Sequence, residues 1–278
     1  MGPLEDKSTT AWRPARSNAP FWIGLGLIGG LYVGLILAMM WADAAYTSPR
    51  HIREALQSPN IRYAIKLSLI SCSLSALLSL WVAVPLGYLL SRCRFPGKGL
   101  LDAVLDIPIV LPPLVVGLSL LILFQTGLGR AIERMLPVTY AVPGVILAQF
   151  SVAAAFAVRT MRVSFDQLNP RSEQVALTLG CSRGQAFWRV AVPEARRGIL
   201  TAATLAWARS LGEFGPILVF AGATRMKTEV LATTVFLELS IGNLEAAVAV
   251  SLLMIAAAVI VLVLVRFCGS ESTFWRAP

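Results

Sequence analysis

The chain has 278 residues, of which 56% are hydrophobic and 14% are charged, and its mean hydropathy is +0.72. Soluble globular domains carry about a quarter of charged residues, so this composition excludes an ordinary water-soluble fold. The formal net charge of +9 is distributed over short segments between apolar runs, which argues against a single basic surface for nucleic acid.

Apolar runs of about 20 residues, the length that an α-helix needs to cross a bilayer, recur along the chain. They predict an all-α polytopic membrane protein with about six transmembrane helices, near Phe21–Trp41, Ile61–Leu90, Leu101–Phe124, Val142–Met161, Gly198–Phe220 and Leu244–Phe267. Residues 1–20 are predicted to form a polar tail, and residues 21–278 to form the membrane domain. An even number of spans places both termini on the same side.

The first span has some features of a cleaved signal peptide. Arg13 and Arg16 precede it, and the Ala-Asp-Ala sequence at 42–44 resembles a cleavage site. The apolar run is nevertheless longer than a signal peptide needs, and Trp22 and Trp41 mark its two ends as in an anchored span. We therefore predict an uncleaved first span.

The basic residues predict the orientation of the spans. With the N-terminus in the cytoplasm, inner segments carry fifteen of the 24 Lys and Arg residues and outer segments carry seven. Basic residues are enriched in cytoplasmic loops, so both termini and the polar loop 162–197 are predicted to be cytoplasmic.

Acidic residues and prolines mark the third span. Asp102 and Asp106 stand at its start, where carboxylates interact favourably with the helix dipole, so we interpret them as structural. Pro108, Pro112 and Pro113 remove backbone hydrogen bonds and predict a kinked or interrupted helix that is buried in protein. A pore-side hinge and a static kink are both compatible with this pattern.

The loop segment Glu173–Pro193 reads EQVALTLGCSRGQAFWRVAVP and predicts two short helices separated by a glycine. Asn169 suits the N-cap of the first helix, and Gly180 suits its C-terminal end. Ser182 followed by Gln185 is a capping-box pattern for the second helix, which Pro193 follows.

Apolar residues of this loop are predicted to share helix faces. Val175, Ala176 and Leu179 fall together on the first helix, and Phe187 and Val190 on the second. A loop between membrane spans needs this much apolar surface only when another protein docks on it.

The fifth span contains two charged residues near its middle. Arg209 and Glu213 are four residues apart, so they share a helix face and can form an ion pair. Charges at this depth are costly unless they face protein or water, which indicates either a translocation path or a buried structural pair. Gly212, Gly215 and Pro216 are expected to loosen the helix beyond them.

The remaining polar residues indicate no catalytic or metal site. The cysteines show no metal-ligand spacing, and their predicted positions favour no disulfide. We expect His51 to be solvated in an outer loop and Gln149 to form an interhelical hydrogen bond. Gly97-Lys98 lacks the upstream glycine of a phosphate-binding loop, so we predict a non-hydrolytic protein without a cofactor.

The loop resembles the coupling loop of ABC importer permeases, whose pattern is Glu-Ala-Ala, three residues, Gly, nine residues and Ile-x-Leu-Pro. Gly180, nine intervening residues and Val190–Pro193 match this spacing. Gln174–Ala176 occupy the Glu-Ala-Ala positions, and Glu173 lies one residue earlier. The run Arg209–Gly215 is similar to that of the oxyanion group, which comprises molybdate, tungstate and sulfate permeases, with molybdate our first choice.

Two sets of site residues follow. The predicted ATPase-docking residues are Glu173, Gln174, Val175, Ala176, Gly180, Phe187, Trp188 and Pro193. The predicted pathway or gate residues are Arg209, Glu213, Gly215, Pro108, Pro112 and Pro113.

The resemblance implies a type I importer permease fold in a bacterial or archaeal plasma membrane. It also implies a homodimer of permeases, two cytoplasmic ATP-binding subunits and an extracytoplasmic solute-binding protein. An ion-coupled secondary carrier that uses Arg209 and Glu213 is the alternative, although the apolar loop and the absence of a detectable internal repeat argue against it. A membrane scaffold without transport would leave the charges within the fifth span unexplained.

Overall fold

The computed structural model describes the backbone of residues 19–270 and the side chains of residues 21–265. The predicted N-terminal tail and the side chain of Cys268 lie outside this described part. The chain divides into two compact units, Met1–Tyr46 and Thr47–Pro278. In the first unit, α1 (Ala19–Tyr46) is a continuous apolar helix that is long enough to cross a membrane, and it includes the Ala-Asp-Ala sequence at 42–44.

The second unit consists of helices of very different lengths. Its first half contains α2 (Pro49–Gln57), α3 (Pro59–Arg92), α4 (Lys98–Val110), α5 (Pro113–Gln125), α6 (Gly127–Met135) and α7 (Val142–Gln167). Its polar loop contains α8 (Pro170–Thr178), α9 (Arg183–Ala186), a π-helical segment π1 (Phe187–Ala191) and α10 (Val192–Glu194). Its second half contains α11 (Arg196–Leu211), a π-helical segment π2 (Ile217–Ala221), α12 (Leu231–Ser240) and α13 (Leu244–Ser270).

Four of the six predicted spans are continuous helices, namely α1, α3, α7 and α13. The predicted third span is divided into α4 and α5, whose axes are bent by 112°. Pro112 and Pro113 at this bend cannot donate backbone hydrogen bonds, which accounts for the predicted interruption. The predicted fifth span is also interrupted, because α11 ends at Leu211 and π2 begins at Ile217.

The core of the second unit is formed by α3 packed along α7, with α11 against both. Small residues allow this close approach, as is common between helices in membranes. A Cβ atom on Gly87 would lie 2.7 Å from the Met161 Cβ, so the two backbones meet closely there. Ser75 donates to the Ile146 carbonyl at 2.9 Å and contacts Gln149 at 3.2 Å, which confirms the expected interhelical hydrogen bond.

The helices meet the polar loop at one end of the bundle, which we call the loop end. The opposite end contains the short helices α2, α6 and α12, which the sequence analysis did not predict. There, the Tyr63 hydroxyl donates to the Lys227 carbonyl at 3.0 Å. His51 contacts the Glu245 carboxylate at 3.1 Å and is only 25% exposed, so the expectation of a solvated histidine was wrong.

Candidate functional site

The polar loop folds as its local sequence predicts. The Asn169 side chain accepts from the Arg171 N–H at 3.0 Å and caps α8. The α8 helix ends in a Schellman motif, in which Gly180 has φ +90° and the Cys181 N–H donates to the Ala176 carbonyl. The capping box of α9 forms with both of its hydrogen bonds between Ser182 and Gln185.

The second part of the loop differs from the prediction. Pro193 does not follow the helical segment but lies inside α10, which continues from π1. Because proline lacks an N–H group, it is compatible with a stretch in which the α-helical hydrogen-bond pattern is already displaced. The loop therefore runs into α11 as a nearly continuous helical path with one break at Ala195.

The apolar residues of the loop separate into inward and outward groups. Ala176 is 7% exposed, whereas its neighbour Val175 is 56% exposed and Leu179 is 79% exposed, so the predicted common face was wrong for Ala176. Phe187 is partly buried, with its ring centre 4.7 Å from that of Tyr88. Trp188 is 66% exposed.

Glu173 ties the loop to the end of α3. It is 8% exposed, and its carboxylate accepts from the Tyr88 hydroxyl at 2.7 Å and from the Arg92 guanidinium at 2.9 Å. Arg92 also donates to the Leu168 carbonyl at 3.2 Å, so one side chain holds both the start of the loop and α8. Sequence reasoning missed Tyr88 and Arg92, whose four-residue spacing near the end of α3 was the available signal.

A groove of about 590 Å³ lies between parts of the loop and the end of α3, next to the contacts that Glu173 and Phe187 make. Gln174 and Leu177 of α8 line it, as do Cys93 and Arg183. The loop thus presents an open groove, and it also exposes the side chains of Val175, Leu179 and Trp188. This surface is attached to the helical core through Glu173 and Phe187.

The two interrupted segments meet each other. A Cβ atom on Gly215 would lie 2.9 Å from the Pro113 Cβ, and one on Gly117 would lie 2.8 Å from the Pro216 Cα. Gly215 leaves room for Pro113, and Gly117 leaves room for Pro216, so each interrupted segment has a glycine at the point where the other one packs against it. Pro108 lies within α4, one turn before the bend at Pro112.

Arg209 and Glu213 form the predicted ion pair, with 2.7 Å between Nη2 and Oε1. The two side chains differ in environment, because Glu213 is 1% exposed and Arg209 is 30% exposed. The Arg209 guanidinium lies 5.5 Å from the centre of the Phe156 ring on α7. The carboxylate therefore faces the protein interior, while the guanidinium is partly accessible.

The acidic residues of α4 have a different structural role from the predicted one. Asp106 pairs with Arg159 of α7 at 2.9 Å, and Asp102 pairs with Arg162. Neither carboxylate lies in the first turn of α4, which begins at Lys98. These ion pairs between helices, and not the helix dipole, account for the two acidic residues.

Within the described residues, no group of three or more His, Cys, Asp or Glu side chains could hold a metal ion. Cys72, Cys93 and Cys181 are free thiols. Gly97 and Lys98 form the start of α4, where Gly97 has φ +85° and the Lys98 ammonium donates to the Cys93 carbonyl.

Residues 83–269 match the family model described as "Binding-protein-dependent transport system inner membrane component". The chain is 34% identical to the sulfate transport system permease protein CysT of Escherichia coli K12, over 84% of this chain and 86% of that protein. It is 34% identical to the molybdate/tungstate transport system permease protein WtpB of Pyrococcus abyssi, over 69% and 73% of the two chains. It is 37% identical to the molybdenum transport system permease protein ModB of E. coli K12, over 62% and 77%.

A solved structure of a bacterial ABC transporter that imports the acidic polysaccharide alginate has a similar fold. The TM-score is 0.68 at 18% identity, over 91% of this chain and 99% of that chain. At this identity the similarity shows the fold alone.

Proposed function

We propose that this chain, which belongs to the family of inner membrane components of binding-protein-dependent transport systems, is the permease subunit of an ATP-driven oxyanion importer. The substrate class rests on the relatives that are named for sulfate and for molybdate or tungstate. Molybdate is the first anion to test. The ion-coupled carrier is not favoured, because a carrier has no use for a loop that presents apolar surface to a partner.

The observation that carries this proposal is the outward face of the polar loop. Val175, Leu179 and Trp188 are exposed there, while Glu173 and Phe187 hold the loop on α3. An apolar patch on a rigidly attached loop is suited to a partner protein that pushes or pulls on the membrane helices. We assign this face to a cytoplasmic ATP-binding subunit.

The remaining partners follow from this assignment. Two copies of the permease form the pathway, each docked on one ATPase subunit, and a solute-binding protein delivers the anion at the opposite end. The loop end is then cytoplasmic, in agreement with the excess of basic residues in the segments that meet there. ATP is bound and hydrolysed on the partner subunits, and this chain contributes the path.

The gate is assigned to the two interrupted segments. The α4–α5 bend and the break after α11 touch at Gly215 and Gly117, so movement of one segment displaces the other. Arg209 lies six residues before Gly215 and has a partly exposed guanidinium, a group that binds oxyanions through paired N–H donors. Closure of the ATPase subunits would draw two polar loops together and open this contact toward the binding protein.

A matched pair of loop variants tests the docking assignment. Trp188→Asp should abolish co-purification of the ATPase subunit and leave the thermal stability of the isolated permease unchanged, because Trp188 is exposed. Phe187→Ala should lower the melting temperature, because Phe187 packs on Tyr88. Normal co-purification with Trp188→Asp would contradict the assignment of this face.

Uptake of labelled molybdate, tungstate and sulfate into cells tests the function itself. Uptake should require this chain, the ATPase subunit and the binding protein together. Uptake that persists without the ATPase subunit and follows the proton gradient would contradict the importer and favour the ion-coupled carrier.

A further inference from the structure

A cavity lined by both apolar and polar side chains lies between α7 and α11 at the loop end, away from the Arg209–Glu213 pair. Its volume is about 550 Å³. Its polar lining comes from Arg159, Thr160, Ser164 and Gln167 of α7 and from Arg197 and Thr201 of α11. Polar side chains on helices of a membrane protein face water or protein, because contact with lipid chains is costly.

Close packing of the two helices forms the floor of this cavity. A Cβ atom on Gly198 would collide with the Ser164 side chain, so the α11 backbone packs directly on Ser164 there. The Thr160 and Ser164 hydroxyls donate to carbonyls one turn earlier on α7, at 2.9 and 2.8 Å. The two hydroxyls therefore present only acceptor lone pairs, so donors for an anion come from the Gln167 amide and the arginines, beside apolar wall from Val163 and Leu168.

Positive charge dominates the region. A second cavity of about 600 Å³ adjoins the first, since Leu168, Glu194 and Arg197 line both. Arg189 and Arg196 line only the second cavity. Four arginines and one glutamate therefore line the two cavities. Arg159 is also paired with Asp106, so a smaller excess of positive charge remains, and a recess with this imbalance concentrates anions.

The cavity and Arg209 lie along the same line of contact between α7 and α11, which we call the α7–α11 seam. Arg197, Thr201, Leu205 and Arg209 are spaced by four residues and therefore share one face of α11. On α7, the Phe156 ring lies beneath the Arg209 guanidinium, and Arg159 and Thr160 follow one turn later. Thr201 is eight residues from Arg209, about 12 Å along the helix, so the seam leads from the ion pair to the cavity.

Arg159 links this cavity to the gate. One guanidinium nitrogen, Nη1, donates to Asp106 of α4 at 2.9 Å, while the side chain as a whole is 56% exposed. A guanidinium has five N–H donors, so Arg159 retains donors for a further acceptor. An anion that reached Arg159 would compete with Asp106, which belongs to the helix that ends at the α4–α5 bend.

We infer that the α7–α11 cavity is a release site, in which a tetrahedral oxyanion is held after it passes the gate and before it enters the cytoplasm. This inference rests on the proposed function and adds a second anion position on the loop side. Guanidinium groups and a side-chain amide supply the donors, and no covalent step is involved.

Cysteine accessibility in the full transporter complex tests this inference. Thr201→Cys and Gln167→Cys are made separately in a chain whose four native cysteines are replaced by serine, and reconstituted vesicles expose the loop end to the reagent. A negatively charged methanethiosulfonate should modify both positions about tenfold faster or more than a positively charged one of equal size. Millimolar molybdate or sulfate should slow the reaction.

The control is Leu262→Cys, on the exposed apolar face of α13, where Leu262 is 47% exposed. This position should react slowly with either charged reagent and show no protection. No reaction at Thr201→Cys and Gln167→Cys, no preference for the anionic reagent, or no protection by oxyanions would overturn the inference.

Lipid phosphate has the same chemistry as a free oxyanion, so the measurement is repeated in detergent with and without phosphatidylglycerol. Protection by this lipid but not by molybdate or sulfate would assign the cavity to a lipid headgroup and overturn the release site. If oxyanions stimulate ATP hydrolysis by the complex yet fail to protect the cysteines, the proposed function stands and only this inference fails.

Discussion

At the scale of single residues, the ion pair in α11 is asymmetric. Glu213 is enclosed by protein, whereas the partly exposed Arg209 has access to the surrounding space. Removing the guanidinium leaves a buried carboxylate without compensation, a change that typically costs roughly 3–5 kcal/mol. Removing the carboxylate leaves a cation that can still be solvated.

We therefore predict that Arg209→Ala lowers the amount of folded protein in the membrane more than Glu213→Ala does. The double variant should regain membrane levels, because no unpaired charge remains. Molybdate uptake per folded molecule should stay low in the double variant if Arg209 attracts the anion, and return if the pair is structural. Equal and additive losses from the two single changes, without recovery in the double variant, would show that the residues do not act as a pair.

A second buried carboxylate lies at the opposite end of the bundle. Glu229 is fully buried between π2 and α12, and neither of its oxygens makes a hydrogen bond. The nearby Thr234 hydroxyl donates to the Val230 carbonyl instead. Burial raises the pKa of Glu229 above its ordinary value of 4.5; the positive charge of Arg225 offsets part of this rise, and the charge of Glu238 adds to it.

A raised pKa in the folded state means that the folded protein holds this proton more tightly than the unfolded chain does. Stability should therefore fall as the pH rises from 4.5 through the folded pKa of Glu229. Glu229→Gln should remove this decline. At pH 8 it should raise the free energy of unfolding by roughly 1–3 kcal/mol, and the melting temperature with it. Thermal unfolding in detergent at several pH values measures the effect.

Glu238→Gln is the matched control. Glu238 accepts from Arg225 at 2.9 Å and from Asn243 at 3.1 Å, so its replacement should lower the melting temperature. A lower melting temperature for Glu229→Gln at pH 8 would mean that its carboxylate is satisfied in the membrane-bound protein.

At the scale of helices, the contact between α3 and α7 depends on small residues. A methyl group on Gly87 would lie 2.7 Å from the Met161 Cβ and 2.9 Å from the Arg162 nitrogen, so the helices would have to separate. Gly87→Ala should therefore destabilise the protein by about 1–3 kcal/mol, the usual cost of overpacking. The melting temperature of the purified chain reports this loss.

Gly99→Ala provides the comparison, because nothing lies within 4 Å of a Cβ atom at this helical position. It should leave stability unchanged or raise it slightly, since alanine favours a helix more than glycine does. Similar losses at both positions would show that the effect of Gly87→Ala does not come from the close contact between α3 and α7.

The elements that could be predicted from the sequence are those whose cause is local. The caps at Asn169 and Ser182 and the Arg209–Glu213 pair each depend on residues within one helical turn. The interruption at Pro112 follows from chemistry that proline has in any helix. Contacts between distant segments, such as Glu173 with Arg92, have no local pattern and were missed.

The incorrect face of α8 has a related physical cause. Periodicity describes which residues share a face but not which side of a short helix turns toward the core. The Glu173 contacts with Tyr88 and Arg92 set that rotation, and they bury Ala176 while leaving Val175 outside. The sequence analysis did not predict either of the two π-helical segments.

At the scale of the whole molecule, the described chain combines continuous helices with two interrupted segments. In the proposed importer, the polar loop, the two touching interruptions and the α7–α11 seam would form one route from the docking face to the gate. The loop is connected to α3 through Glu173, and α4 is connected to α7 through two ion pairs. In the proposed mechanism, force that arrives at the loop must move the gate.

The most direct test is ATP hydrolysis by the permease reconstituted with its ATPase subunit and solute-binding protein in lipid vesicles. We predict that binding protein loaded with molybdate, tungstate or sulfate stimulates hydrolysis several-fold over the empty binding protein, and that the labelled anion enters the vesicles in step with hydrolysis. A hydrolysis rate that is indifferent to every loaded binding protein, or anion entry without ATP, would contradict the account.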